Sequence, residues 1–327
     1  IISEKHNDNM EYLIGLEAQS ESARGKRLLK NNQEQANYAL FSTIEYKLNN
    51  TTKIRPSARA IYNTNYNAPF IPALNVLVNL NQHKLRFGIA KGFRAPSLKE
   101  LYLEFVDINH NIVGNKDLSA EESYNYHINS SYSKKLFDVS LNADLSAFYN
   151  AISNKIDLTK STTIQDQYSY FNIDQYKTKG ISSNLSIEQK NVQLNLGLSY
   201  IGRYNKLSTS NNMSEFNFST DYNISGILNI GTKNKINLFY KHIGDLPYFS
   251  TNGNDILETH TDSYNLLDCS INHRINDLFI ISFGGKNLFD VKNINRGSRA
   301  NTIHESGGNT VPIGYGKTFF IKLSYKA

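Results

Sequence analysis

The sequence predicts an all-β chain, an antiparallel transmembrane β-barrel of which about fourteen strands are present. Three observations carry this. Apolar and polar residues alternate with period two along most of the 327 residues. Short polar turns and longer polar stretches take turns between the alternating runs, as they do at the two rims of a membrane barrel. Composition favours extended structure: 21 Tyr and 17 Phe, with abundant Asn, stand against 6 Pro and 2 Met. Mean hydropathy is -0.46, and no apolar run of about 18 residues occurs. A helical membrane protein is thereby excluded, but not a barrel, whose strands need an apolar residue only at every second position.

The alternating segments run at 9–19, 36–48, 53–64, 70–79, 83–93, 121–134, 137–152, 167–190, 191–203, 218–231, 234–244, 261–274, 277–288 and 315–326. In the seventh, Val139, Leu141, Ala143, Leu145, Ala147 and Tyr149 share one face. Asp138, Ser140, Asn142, Asp144 and Ser146 share the other. A helix would scatter such a set around its circumference. The connections near 20–35, 94–120, 153–166, 204–217, 245–260 and 289–314 read as loops, and the one near 65–69 is short. Aromatics such as Tyr12, Tyr46, Tyr62, Tyr124, Tyr132, Tyr149, Tyr200, Tyr240 and Tyr325 fall near strand ends on the apolar face, where interfacial girdles lie. A soluble barrel would turn its apolar face inward. Here the polar face carries Arg55, Arg59, Lys84, Arg86, Asp138 and Asp144, so the interior is wet and wide.

The net charge of +6 is spread along the chain, without the basic stripe that nucleic acid would require. Cys269, the single cysteine, leaves no disulfide framework. No secretory leader opens the sequence, and Ile1 reads as a processed or truncated start. The whole of 1–327 reads as one partial barrel domain.

Five stretches, in order, carry a resemblance to a known family. KGFRAPSLKELYLEF at 91–105 precedes GNKDLSAEES at 114–123. YFNIDQYKTKGISSNLSI spans 170–187, and GGKNLFD at 284–290 precedes the terminal GKTFFIKLSYKA. Together they resemble TonB-dependent receptors of Gram-negative outer membranes, in the form common in Bacteroidetes-like bacteria. The motif residues are Phe93, Arg94, Ala95, Pro96, Asn115, Asp117, Leu118, Asn287, Leu288, Phe289 and Asp290. The resemblance implies the last fourteen strands of a 22-strand barrel, with the N-terminal plug absent from this stretch. Lys116 stands where Pro is usual, and Ala327 where an aromatic is usual.

That resemblance implies active import of an iron chelate, haem or a ferric siderophore, with cobalamin or another nutrient as the alternative within the family. A passive pore or a surface adhesin is the alternative outside it. The implied partners are outer-membrane lipid, the TonB–ExbB–ExbD complex through the plug, and a surface lipoprotein, with no nucleic acid. No intrinsic cofactor is implied; haem or a ferric chelate would be cargo. No nucleophile elbow, P-loop, HExxH or CxxC is present, which argues against an enzyme. The sharpest ligand hypothesis is His110 as a haem-iron ligand, because it lies between the FRAP and NKDL boxes, where the family's haem receptors carry a His; the competing reading is a solvated turn residue. Arg94 either pairs with acidic groups of loop or plug or fixes the loop base. Tyr102, Tyr248, His304 and Tyr315 are further loop candidates for ligand contact, each also readable as ordinary loop surface.

Overall fold

The computed structural model describes residues 1–29, 32–160, 167–206, 216–252, 255–298 and 309–325. The wall opens with β1 (Ile2–Asn7), β2 (Met10–Arg24), β3 (Asn32–Lys47), β4 (Thr52–Asn63), β5 (Ile71–Leu80) and β6 (His83–Arg94). The connection after β6 holds α1 (Leu98–Tyr102), β7 (Glu104–Val106) and β8 (Asn111–Val113). The wall resumes with β9 (Glu121–Leu136), β10 (Val139–Lys160), β11 (Tyr168–Gln189), β12 (Val192–Lys206), β13 (Asn217–Ile230) and β14 (Asn234–Ile243). Then come β15 (Leu246–Asn252), β16 (Asp255–Thr261), β17 (Tyr264–Arg274) and β18 (Phe279–Lys286). The last are β19 (Asn293–Ser298), β20 (Asn309–Pro312) and β21 (Thr318–Tyr325).

Wall strands pair antiparallel with their neighbours all the way from β1–β2 to β18–β21. No ladder joins β1 to β21 among the described residues. The fourteen alternating segments correspond in order to β2–β6, β9–β14, β17, β18 and β21. β1 adds a strand that the sequence does not announce, because ISEKHN has too few apolar residues to show a period. Two expected loops, 245–260 and 289–314, instead contain β15, β16, β19 and β20, which form a separate four-stranded sheet. The polar run from Ser250 to Asp255 hides the alternation there. The connection 94–120 likewise holds a helix and a hairpin.

The ladders line up each face across strands. One outward row is Phe87, Ile128, Ala147, Ile181 and Tyr200. One inward row is Arg86, Asn129, Ser146, Ser182, Ser199 and Asp221. Exposure follows the rows in the sense opposite to a soluble protein. Leu145 is 55% exposed, Ile181 52% and Ile321 72%, whereas the buried apolar residues are Ala39, Leu98, Leu101, Leu118, Ile156 and Ile173. An apolar surface this continuous needs a cover, and lipid is the cover that fits its alternation. Outward Tyr12, Tyr46, Tyr132 and Tyr325 sit toward the short turns; Tyr62, Tyr124, Tyr149 and Tyr200 sit toward the long loops.

Turn chemistry accounts for much of the Asn. Asn49 Oδ1 accepts from the N–H groups of Thr51 at 2.9 Å and Thr52 at 2.8 Å. Asn276 does the same for Leu278 at 3.0 Å and Phe279 at 2.8 Å. Such side chains mimic a backbone turn and free the next strand to start. Inside the wall, Gly15 faces Phe41 in register, and a Cβ there would overlap the ring. The bare backbone lets the aromatic lie flat across the neighbouring strand.

This arrangement predicts that Leu145→Arg costs about 2–4 kcal/mol in urea titrations of the full-length protein folded into lipid vesicles. The adjacent inward substitution Asp144→Asn should change stability by less than about 0.5 kcal/mol.

Candidate functional site

The candidate site is the loop between β6 and β9, and its construction begins with a proline. Pro96 has no N–H to give, so the β6 ladder stops before it. Its carbonyl accepts from the buried Gln35 amide at 3.3 Å. Ser97 and Glu100 then start α1 with a capping box. Glu100 N–H donates to Ser97 Oγ at 3.3 Å, and Ser97 N–H donates to the Glu100 carboxylate at 2.7 Å.

Arg94 draws three pieces of chain together. Its Nη1 donates to Glu100 at 2.9 Å, and its Nε and Nη2 donate to the two Glu121 oxygens at 2.9 and 2.6 Å. Glu121 also accepts from the backbone N–H of Ile156 at 2.7 Å. One guanidinium fork thus fixes the end of β6, the helix and the start of β9. Burial alone would raise the Glu100 pKa. The hydrogen bonds from Arg94 and Ser97 outweigh burial and hold it below the ordinary glutamate value.

Beneath the helix lies a small apolar knot of Leu101, Leu118 and Ile156, with Tyr66, Tyr102 and Tyr170 packed on it. Gly114 runs so close to the Leu101–Tyr102 peptide that a Cβ would strike backbone. Asn115 N–H donates to Glu100 O, and its Nδ2 donates to Tyr170 O, each at 2.9 Å. Asn172 clamps Ser119, accepting from its N–H at 2.8 Å and donating to its carbonyl at 3.0 Å. The stretches at 91–105, 114–123 and 170–187 are therefore one structural unit, assembled from three places in the chain.

This unit presents the β7–β8 hairpin. Asp107 Oδ1 accepts from the N–H groups of Asn109 and His110, both at 2.9 Å, and lies 2.9 Å from His110 Nδ1. The Asn109 N–H, then the His110 ring, hold the Asp107 carboxyl below its usual pKa. The His110 ring stacks on Phe105 at 4.5 Å, and Arg27 lies 4.3 Å over the same Phe105 ring. With Nδ1 turned to Asp107, Nε2 is the free edge of a side chain that is 49% exposed. A carboxylate on one imidazole nitrogen is the usual means of orienting the other toward a metal. Among the described residues, no cluster of three or more His, Cys, Asp or Glu suits a metal ion.

The remaining candidates do not converge on His110. Tyr102 is half-buried in the apolar knot, and Arg94 sits at the loop base. Tyr248 lies in β15, opposite Thr259. Tyr315 is fully exposed in the turn before β21. His304 lies outside the described residues. Asp117 is exposed, and its N–H donates to Asn115 Oδ1 at 2.9 Å. The Asn287–Asp290 motif is a corner. Asn287 adopts φ 50° and Asp290 φ 59°. Asn287 exchanges hydrogen bonds with Val291, and Asp290 accepts from Lys317 N–H at 2.8 Å. Leu288 N–H donates to Leu267 O at 2.8 Å, and Phe289 meets Tyr240 edge-on at 6.3 Å.

Sequence reading missed Glu100, Glu121, Gln35 and Arg27. The S-x-x-E spacing at 97–100 was a visible signal for Glu100; the others act across strands and left none. Below the loop, Phe93, Arg94, Ala95 and Pro96 help line an inward cavity of about 530 Å³ with Glu17, Glu21, Gln35 and Arg59. Arg59 pairs with Glu17 there at 3.1 Å.

Glu100 supplies a pH test. A carboxyl held below its ordinary value stabilises at pH above that value and loses its contribution as pH falls through the lowered one. Amide-exchange protection of 95–120 should stay flat from pH 7 to 5 and fall below about pH 4. Glu100→Gln should remove the acid step and raise exchange already at pH 7.

Residues 10–288 match the family model described as TonB dependent receptor-like, beta-barrel. Solved structures share the fold. The siderophore receptor PirA of Pseudomonas aeruginosa aligns at TM-score 0.68 and 17% identity, over 98% of this chain and 52% of its own. The ferric enterobactin receptor PfeA of the same organism, in complex with enterobactin, aligns at 0.70 and 18%, over 98% and 52%. The copper transporter OprC aligns at 0.68 and 13%, over 98% and 54%. The chain thus spans about half the length of these proteins. No curated protein sequence matches it.

Proposed function

The chain belongs to the TonB-dependent receptor β-barrel family, and from that premise we propose that it serves an outer-membrane importer of an iron chelate, energised through TonB, ExbB and ExbD. The carrying observation is the braced loop unit at the long-loop rim. Arg94, Glu100 and Glu121 hold a rigid base, and the base lifts a hairpin over a polar inner face. A receptor needs such a platform to meet a large ligand before passage; covalent chemistry needs nothing that this unit offers. PirA and PfeA are siderophore receptors by name, which favours a ferric chelate as cargo. OprC, a copper transporter, marks the breadth of cargo that the fold accepts.

His110 favours haem within that class. Its Nε2 edge is open, its Nδ1 is oriented by Asp107, and Phe105 and Arg27 stiffen the ring from behind. An imidazole so placed is a good axial ligand for ferric haem. A surface lipoprotein that hands over cargo would meet the same hairpin.

In full-length receptor, titration with haem should produce a Soret shift that His110→Ala weakens at least tenfold, while fold and membrane insertion stay unchanged. Uptake of radioiron as haem by cells should vanish when TonB is deleted. An unchanged Soret titration in His110→Ala would remove haem and leave the siderophore reading; uptake indifferent to TonB would remove the importer reading.

A further inference from the structure

The connection between β2 and β3 reaches the His110 hairpin from a distant part of the chain. It is basic: 24–30 reads RGKRLLK, with cations at four of seven positions and no acid. Gly25, at φ 152°, takes a backbone conformation that side chains disfavour and bends the chain out of β2. The segment then runs as an extra strand beside the start of β7. Leu28 bridges Leu103, Glu104 N–H donates to Arg27 O at 2.9 Å, and Leu29 N–H donates to Tyr102 O at 2.9 Å. β7 pairs with β8, and β8 pairs with the start of β11. Four pieces of chain thus make one small sheet beyond the wall.

Arg27 is fixed where this sheet meets His110. Its guanidinium carbon lies 4.3 Å from the Phe105 ring centroid. The His110 ring lies 4.5 Å from the same centroid and nearly parallel to it, at 24°. One phenyl ring therefore sets an imidazole and a guanidinium at a defined spacing. A guanidinium that packs by its face keeps its N–H edge for hydrogen bonds, and that edge matches a carboxylate. Arg27 and His110 are both exposed.

The two groups suit one kind of molecule. A metalloporphyrin carries a metal at its centre and, in haem, two carboxylates along one edge. Two stacking contacts lead from His110 through Phe105 to Arg27, which is the scale of the offset between that centre and that edge. Ile108, 97% exposed at the hairpin tip, adds apolar surface that suits the carboxylate-free edge.

We propose that Arg27 is the specificity-determining contact of this site. While His110 takes the metal, Arg27 takes a propionate carboxylate, so the loop selects metalloporphyrins that carry free acid groups. The contact also fixes which edge of the macrocycle faces the β2–β3 connection. This rests on the haem reading above and goes beyond it, because an axial ligand alone accepts the ring at any rotation and with any substituents.

The test titrates full-length receptor in nanodiscs, blanked against empty discs, with ferric protoporphyrin IX and with its dimethyl ester, which keeps iron and ring but has no carboxylate. Wild type should bind the diacid about tenfold more tightly than the ester. Arg27→Gln should bind the diacid about tenfold more weakly than wild type and the ester equally well. The Soret maximum of its complex should not move, because His110 still holds the iron. Equal wild-type affinity for the two ligands overturns the contact. So does an Arg27→Gln variant that binds the diacid like wild type, or one that weakens on both ligands alike, as a merely structural Arg27 would. If His110→Ala leaves both Soret titrations unchanged, the haem reading fails and takes the contact with it, a result distinct from loss of carboxylate selectivity alone.

Discussion

A wall one strand thick has no interior of its own, so its cohesion comes from the backbone ladder that runs from β1 to β21. Each internal strand gives its N–H and C=O groups to two neighbours, which is the condition for putting a backbone into hydrocarbon. Once the ladder is set, the period of two sends every side chain to one face or the other. The apolar face is then free to be simple. It needs no jigsaw packing, and Leu, Ile, Ala and Tyr succeed one another along it without close interlocking. The polar face is equally free of a core, and Asn, Ser and charged groups line it in rows.

Where the chain leaves the ladder, other forces take over. The loop between β6 and β9 has what the wall lacks: a buried apolar knot, a capped helix and an ion-paired fork. These are the ordinary means of a soluble domain, scaled down to one loop. Arg94 is central because it joins elements that the ladder cannot reach together, and Glu100 serves both the helix cap and the fork. The resulting stiffness belongs to the base of the loop. The β7–β8 hairpin above it is anchored where β8 pairs with the start of β11 and where Glu104 N–H donates to Arg27 O, and its tip is held by one Asp turn and one aromatic stack, so what the tip presents is oriented but solvent-facing.

The fold was legible because alternation repeats over many strands and each repeat is independent evidence. β1 was illegible for the converse reason, a six-residue strand with hardly an apolar residue to mark a face. β15, β16, β19 and β20 escaped because strands that pair beyond the wall need no apolar face. At the site, residues that act locally could be read. Pro96 announced the strand end, and His110 drew notice by its place between two boxes. Glu121 and Gln35 act on partners 27 and 61 residues away, and no local pattern marks such pairs.

Which face meets lipid decides how every wall strand is oriented. Single cysteines placed along β10 at 143 to 148, in a full-length Cys269→Ser background, can be challenged with a membrane-impermeant thiol reagent in outer-membrane vesicles. Labelling should alternate, with 144, 146 and 148 reactive and 143, 145 and 147 protected. The reverse alternation would make the apolar face the interior of a soluble barrel, and uniform labelling would mean that β10 crosses no membrane.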